Sequence, residues 1–178
     1  MDFNEVVRRR YSCKKFDPSR RVSREQLDEI LGAGRLAPTA KNLQEHHVYV
    51  IESLEALEVV DRHTPCRYGA PTVLVVAYDK NNVYTYPTAR GAETDWRQSG
   101  VEDATIVATH MMLAATNVGV DSCWVNCVHV DDLHRALSLP DNMEIVMLLL
   151  IGFAAEGTGP LPNHFVRKPL DETVSEHS

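Results

Sequence analysis

Seven of the 18 Lys and Arg residues in this sequence fall between positions 8 and 21, in the run Arg8-Arg9-Arg10-Tyr11-Ser12-Cys13-Lys14-Lys15 followed by Arg20 and Arg21. In a chain with a formal net charge of −7 that is a sharp local reversal. A phosphate monoester carries nearly two negative charges, and Arg forks, a Lys ammonium and the Ser12 hydroxyl are its matching donors. The same run also suits a solvated helix end, where cations complement the C-terminal dipole. Both readings stay open on the residues alone. Nucleic acid fits less well, because no broader basic face or aromatic platform accompanies the run.

A second polar cluster is Pro38-Thr39-Ala40-Lys41-Asn42-Leu43-Gln44. Asn42 and Gln44 each offer a paired donor and acceptor, the chemistry that holds a heteroaromatic edge displaying carbonyls and ring nitrogens. Pro, Thr and Asn are equally at home in an ordinary turn. A third cluster, His164-Phe165-Val166-Arg167-Lys168-Pro169-Leu170, adds cations near the end of the sequence. Metal chemistry is not expected. Cys123 and Cys127 are separated by three intervening residues with no Cys-x-x-Cys beside them, and the eight histidines form no His-Glu-x-x-His pattern. The four cysteines, Cys13, Cys66, Cys123 and Cys127, are expected to be free thiols, since a chain of this length buries enough core to fold without staples.

The elements that must position these residues follow from periodicity. Phe3, Val6, Val7 and Arg10 carry a short helical pattern that ends before Asp17-Pro18-Ser19. Ser23 with Gln26 reads as a capping box, and the helix it opens, with Leu27, Ile30 and Leu31, should stop near Gly34. His46 to Glu52 reads as a strand, Ser53 then opens a helix with Leu54, Leu57 and Val60, and Thr72 to Tyr78 is a second strand. Residues 80–100 show neither period and read as a long surface excursion with room for a short helical piece. Its aromatics Tyr84, Tyr86 and Trp96 suit packing first and the covering of a planar ligand second. Val101 to Ala115 marks an apolar, buried helix ended by Gly119; Val130 to Leu139 a shorter helix; Glu144 to Ala155 a buried strand; and the rest an extended tail.

The 178 residues suit one domain, spanning 1–178, and 44% hydrophobic against 24% charged residues is ordinary for a globular chain. The longest apolar run, Ile145 to Ala155, is shorter than the roughly 20 residues a membrane-spanning helix needs. No apolar stretch follows the first basic residues, so no secretory signal and a cytoplasmic location are expected. Alternating helices and strands give an α/β class, with helices on both sides of a small mixed sheet.

The sequence resembles the nitroreductase family of FMN-dependent oxidoreductases. The likeness lies in Arg10-Tyr11-Ser12-Cys13-Lys14-Lys15-Phe16, Leu36-Ala37-Pro38-Thr39-Ala40-Lys41-Asn42-Leu43-Gln44, the helix from near Asp103, Ala114 through Trp124, Ile151-Gly152-Phe153 and Arg167-Lys168-Pro169-Leu170. Each motif is weak alone, but their order and spacing span nearly the whole chain, and the likeness is to short, single-domain members. It implies a three-layer α+β fold with a small, mainly antiparallel sheet, an extended C-terminal tail and an intertwined homodimer with FMN at the interface. By position, Arg10, Ser12 and Lys14 match the motif that holds the phosphate and the pyrimidine side of the flavin. Pro38, Thr39, Ala40, Asn42 and Gln44 match a motif that reaches the flavin held mainly by the other subunit. Ser122, Trp124 and Asn126 lie in the segment matching the backbone along the ring, and Arg167 with Lys168 matches a C-terminal phosphate contact.

Two departures stand out. The family commonly follows the Gln with Pro-Trp where this chain has Glu45-His46-His47, and often has Arg where this chain has Lys14. The activity implied is ping-pong hydride transfer from NADH or NADPH through FMN to a nitroaromatic, quinone or similar small acceptor, with no membrane or nucleic-acid partner. No protein side chain is needed as a catalytic acid, base or nucleophile, since the flavin carries the electrons. A flavin-storing or sensing protein, or a flavin-fragmenting or dehalogenating enzyme on the same fold, is the alternative. No Gly-x-Gly-x-x-Gly follows a strand, so the nicotinamide is expected to bind transiently. Cys13 and Cys123 fall near the implied flavin, where buried thiols act chiefly as small hydrophobes.

Overall fold

The computed structural model describes residues 1–85 and 96–177. Asp2 caps α1 (Phe3–Arg9) by accepting from the Glu5 N–H at 2.9 Å. Ser23 opens α2 (Arg24–Arg35) with both halves of the capping box in place, Gln26 N–H to Ser23 Oγ and Ser23 N–H to Gln26 Oε1. A 3₁₀ turn at Ala40–Asn42 leads into β1 (His46–Ile51), and Ser53 caps α3 (Leu54–His63). Then come β2 (Thr72–Asp79), α4 (Trp96–Asn117), β3 (Asp121–Val125), α5 (Val130–Ala136) and β4 (Met143–Gly152). Beyond β4 the chain is irregular and mostly exposed, broken only by short 3₁₀ turns at Pro162–Phe165 and Leu170–Glu172.

The sheet runs β1-β2-β4-β3 with every neighbouring pair antiparallel. A parallel bridge between Ser12 and Ser122 adds a short stretch of the N-terminal segment outside β3. β2 and β4 are the central strands, so both their faces are apolar and buried. Leu74, Val76, Met147, Leu149 and Ile151 pack with α2 and α4 through Leu27, Ile30, Val107 and Met111. On the other face Val73, Val75, Leu148 and Leu150 pack with Leu57 and Val60 of α3 and Leu133 of α5. The result is the expected three-layer arrangement, helices on both faces of a small sheet.

Four details differ from the sequence reading. α4 begins at Trp96 rather than near Val101, so the last part of the excursion is helical. α5 ends at Ala136, where the chain turns through Leu137 before Ser138 takes a positive φ. β4 ends at Gly152, three residues short of Ala155, because Asp17 takes the Phe153 carbonyl and Lys15 pairs with Ala155 instead. The strand β3 was hidden in sequence, since Asp121 to Val125 is too short for a clear alternation and follows a helix directly. Among the described residues no helix is long and apolar enough to cross a membrane.

Only half of α4 is covered. Ala104, Val107, Ala108, Met111 and Ala115 recur at helical spacing against the sheet, while Val101 and Ile106 are exposed. An apolar groove of about 620 Å³ between α1 and α4 is walled by Phe3, Val6, Leu113 and Ala114. The expectation of a buried helix therefore holds for one face within a single chain.

Candidate functional site

Residues 10–17 form an extended strip along the outer edge of β3. The Arg10 N–H closes α1 on the Val6 carbonyl at 2.9 Å, and the Cys13 N–H donates to the Ser122 carbonyl at 2.9 Å. Phe16 and Asp17 then bond the Tyr68 and Phe153 carbonyls at 2.9 and 2.8 Å. The two-residue alternation of extended chain sends Cys13 into the core and leaves Ser12 and Lys14 on the surface.

There they meet the tail. Arg10, Tyr11, Ser12 and Lys14 share a cleft of about 200 Å³ with Leu161, Asn163, His164 and Arg167. The 3₁₀ turn Pro162–Phe165 presents Arg167, whose guanidinium donates to the His164 and Val166 carbonyls. Three cations, a hydroxyl and an amide thus converge from opposite ends of the sequence, a donor set suited to a phosphate monoester. Lys168 is turned elsewhere, with its ammonium 3.7 Å from the Glu172 carboxylate. Burial and the Asp121 carboxylate push the Tyr11 hydroxyl above its usual range, so it stays a neutral donor.

β3 supplies the neighbouring wall. One edge pairs with β4, and the Ser122 carbonyl faces Cys13 on the other; by alternation the Trp124 amide groups face that same outer edge. Ser122 is buried, and its Oγ has no hydrogen-bond partner. It lines a second cleft with Arg9, Tyr11 and Asp121. Trp124 is held by its indole N–H on Asn126 Oδ1 at 2.8 Å.

The Pro38–Gln44 loop lies apart from the Arg10–Arg167 cleft. Lys41, Asn42 and Gln44 all take left-handed φ, 53°, 56° and 54°, a conformation L-residues hold only when surroundings enforce it. The enforcing contacts are Ala40 N–H to Asp103 Oδ2 at 2.8 Å and Gln44 N–H to Thr39 Oγ1 at 3.0 Å. Pro38, Asn42 and Gln44 remain exposed. Lys41 sits 5.6 Å from the centre of the Tyr84 ring, so that aromatic contacts the loop; Tyr86 and the Trp96 side chain lie outside the described residues.

Sequence reasoning missed what lies under this loop. Glu45 and Asp103 are 3% and 6% exposed, and neither Glu45 carboxyl oxygen meets a partner in hydrogen-bonding geometry. Burial, reinforced by the Asp103 carboxylate beside it, pushes Glu45 up to about 7. His46 is pulled below its ordinary value by burial and by His47. The available signal was an acid at position 103 within an apolar helix and a Glu where the resembled motif has Pro. Tyr11, Asn163 and His164 were likewise unassigned, because only the fold brings the tail to the strip.

The family model described as "Nitroreductase family" matches residues 7–65 and 64–153. A nitroreductase family protein from Clostridium difficile 630 has the same fold, with a TM-score of 0.88 and 34% identity, covering 100% of this chain and 99% of that one. A protein from Exiguobacterium sibiricum 255-15, solved in complex with FMN, shares the fold at a TM-score of 0.82 with 22% identity, over 99% and 98% of the two chains. A Methanothermobacter thermautotrophicus protein, named as a candidate NADH dehydrogenase/NAD(P)H nitroreductase, is 27% identical over 168 residues, 89% of this chain and 81% of its own length. With a family match across most of its length on this three-layer fold, the chain belongs to the nitroreductase family.

Proposed function

We propose that this protein is an FMN-dependent oxidoreductase that takes hydride from NADH or NADPH and passes it to a nitroaromatic, quinone or similar small acceptor. The observation that carries the reading is the convergence of Arg10, Ser12 and Lys14 with Arg167 in one cleft beside the edge of β3. The residues fit the cofactor. The cations match its phosphate, the orphaned Ser122 Oγ is a buried polar atom near the implied ring, and the chain edge at Trp124 offers backbone amide groups. FMN bound to a neighbour of the same fold and the NAD(P)H nitroreductase name of a relative support the cofactor and the donor.

When bound, FMN supplies two-electron chemistry, alternating between donor and acceptor in one pocket. The chain's own residues bind and orient. Arg10 and Lys14 neutralise phosphate and pyrimidine-side charge, Ser12 donates a hydroxyl, and Arg167 reaches the phosphate from the tail, with Lys168 contributing at longer range. Ser122, Trp124 and Asn126 form the wall along the ring.

The site is completed by a second copy of the chain. Pro38, Thr39, Ala40, Asn42 and Gln44 lie away from their own chain's cleft, so in this reading they reach the cofactor of the partner. The uncovered apolar side of α4, the groove beside α1 and the exposed Phe165, Val166, Leu170 and Val174 of the tail supply surface for such a homodimer.

The test is an absorption spectrum of the purified protein after FMN addition and removal of excess, followed by anaerobic NADH or NADPH. Retained flavin that bleaches supports the reductase. Retained flavin that stays oxidised favours a storing or sensing protein, and loss of all flavin overturns the reading.

A further inference from the structure

We propose that Cys66 and Cys127 form a thiol modification site, a pair that a low-molecular-weight disulfide converts into a Cys66–Cys127 disulfide while Cys13 and Cys123 stay reduced. The proposal concerns covalent chemistry of the chain itself and does not depend on flavin binding.

All four cysteines are free thiols, and they differ in what surrounds them. Cys66 follows α3 and Cys127 follows β3, two loops that one side chain ties together. The Thr64 hydroxyl donates to the Cys127 carbonyl at 2.5 Å and accepts from the Cys66 N–H at 3.1 Å. Thr64 is itself buried, so this clamp is shielded from water. The His129 N–H adds a second tie between the same loops through the His63 carbonyl at 3.0 Å. With both backbones held on the one Thr64 hydroxyl, the two cysteines sit side by side, and Cys66 is the neighbour that acts most on the Cys127 thiol.

The Cys66 side of the pair is rigid. Arg67 makes a two-pronged pair with Asp61, both contacts at 2.6 Å, and donates to the Ala70 carbonyl at 2.7 Å. Tyr68 is held at φ 53°, an outlier for a bulky residue, and the neighbouring Cys66 thiol raises its hydroxyl above the usual range. A loop fixed at this many points holds its sulfur in place instead of losing the pair to loop motion.

Access separates the two classes of thiol. Cys127 is exposed and Cys66 half-buried, whereas Cys13 and Cys123 are buried in the core. Burial raises the Cys13 thiol and pushes Cys123 up to about 11, while Cys127 is raised chiefly by its neighbour Cys66, so it is access to solvent that sets the exposed thiol apart from the two in the core. A metal is the other use of paired thiols, but among the described residues no group of three or more His, Cys, Asp or Glu side chains is placed to hold one.

The chemistry balances as thiol–disulfide exchange. The Cys127 thiolate attacks one sulfur of the small disulfide and expels one small thiolate. The Cys66 thiolate then attacks the Cys127 sulfur of the mixed disulfide and expels the second. The two protein thiols are oxidised, the small disulfide is reduced to two thiols, and the two cysteine protons pass to those leaving groups.

The experiment treats the reduced full-length protein with glutathione disulfide at pH 8, alkylates the remaining thiols under denaturing conditions and maps the peptides. Two alkylated cysteines, Cys13 and Cys123, are expected, with a Cys66–Cys127 crosslink and a mass about 2 Da lower than the reduced chain. Cys66→Ser, which removes the resolving thiol, should instead accumulate a stable glutathione adduct on Cys127. A bridge formed without distortion closes a long loop and raises Tm. A persistent adduct on wild-type Cys127, oxidation at Cys13 or Cys123, four unreacted thiols, or a crosslink that lowers Tm would each overturn the proposal.

Discussion

The backbone N–H of Ala40 donates to Asp103 Oδ2 at 2.8 Å across 63 positions of sequence, so the loop that presents Asn42 and Gln44 is tied to α4. The contact lets the loop hold three residues at positive φ. It also brings an acidic side chain of the longest helix to the entrance of β1, where Glu45 is buried beside it.

Removing this tie should loosen the loop more than the fold. Asp103→Ala leaves the Ala40 N–H without its acceptor, a loss of about 1–3 kcal/mol in unfolding free energy, while Asp103→Asn keeps an acceptor oxygen and recovers most of it. Urea unfolding measures the stability and FMN titration the loop. Equal stability of the Ala and Asn variants would show that the oxygen at position 103 does not hold the loop.

Glu45 makes stability depend on pH in a stated direction. Its folded value of about 7 lies above the ordinary 4.5, so between these values the folded chain binds more protons than the unfolded one. The contribution is therefore complete below about pH 4.5 and is lost as pH rises through 7. Glu45→Gln keeps the shape and removes the ionisation. Relative to wild type, the variant should gain on the order of 2 kcal/mol between pH 5 and pH 8. Paired urea titrations at the two pH values test this; a constant difference would mean that Glu45 does not carry the proton.

The phosphate assignment predicts a steep loss on neutralising the strip. Arg10→Ala with Lys14→Ala removes two charged donors, each worth about 1.5–3 kcal/mol, and should weaken FMN binding by about 100-fold or more. Lys168→Ala should do much less, because that ammonium already faces Glu172 at 3.7 Å. Fluorescence titration of FMN reads both. Full affinity in the double variant would remove the phosphate from this cleft.

Two helical glycines predict opposite signs. A Cβ on Gly100 would lie 2.3 Å from two carbons of the buried Tyr78 ring, so Gly100→Ala should cost about 1–3 kcal/mol by overpacking. A Cβ on Gly32 in α2 meets nothing within 4 Å, and Gly32→Ala should stabilise by about 0.5–1 kcal/mol through reduced unfolded-state entropy. Thermal unfolding of the two variants ranks them, and a stabilising Gly100→Ala would contradict the packing described.

What the sequence determined by itself was local. The Ser23–Gln26 box, the Ser53 cap and the apolar runs at Thr72 and Ile145 depend on neighbours a few residues away, so type and spacing were enough to read them. The family likeness was legible for a related reason, since motif order is a property of the chain. Tertiary structure alone decided the rest. Because β4 inserts between β2 and β3, the edge of β3 stays open to the Arg10–Lys14 strip, and the tail leaving β4 returns Arg167 to it. The Glu45–Asp103 neighbourhood and the Cys66–Cys127 contact arise in the same way, from elements far apart in sequence. No periodicity encodes such meetings, because they are set by which strands pair and by which loops the packed helices bring together.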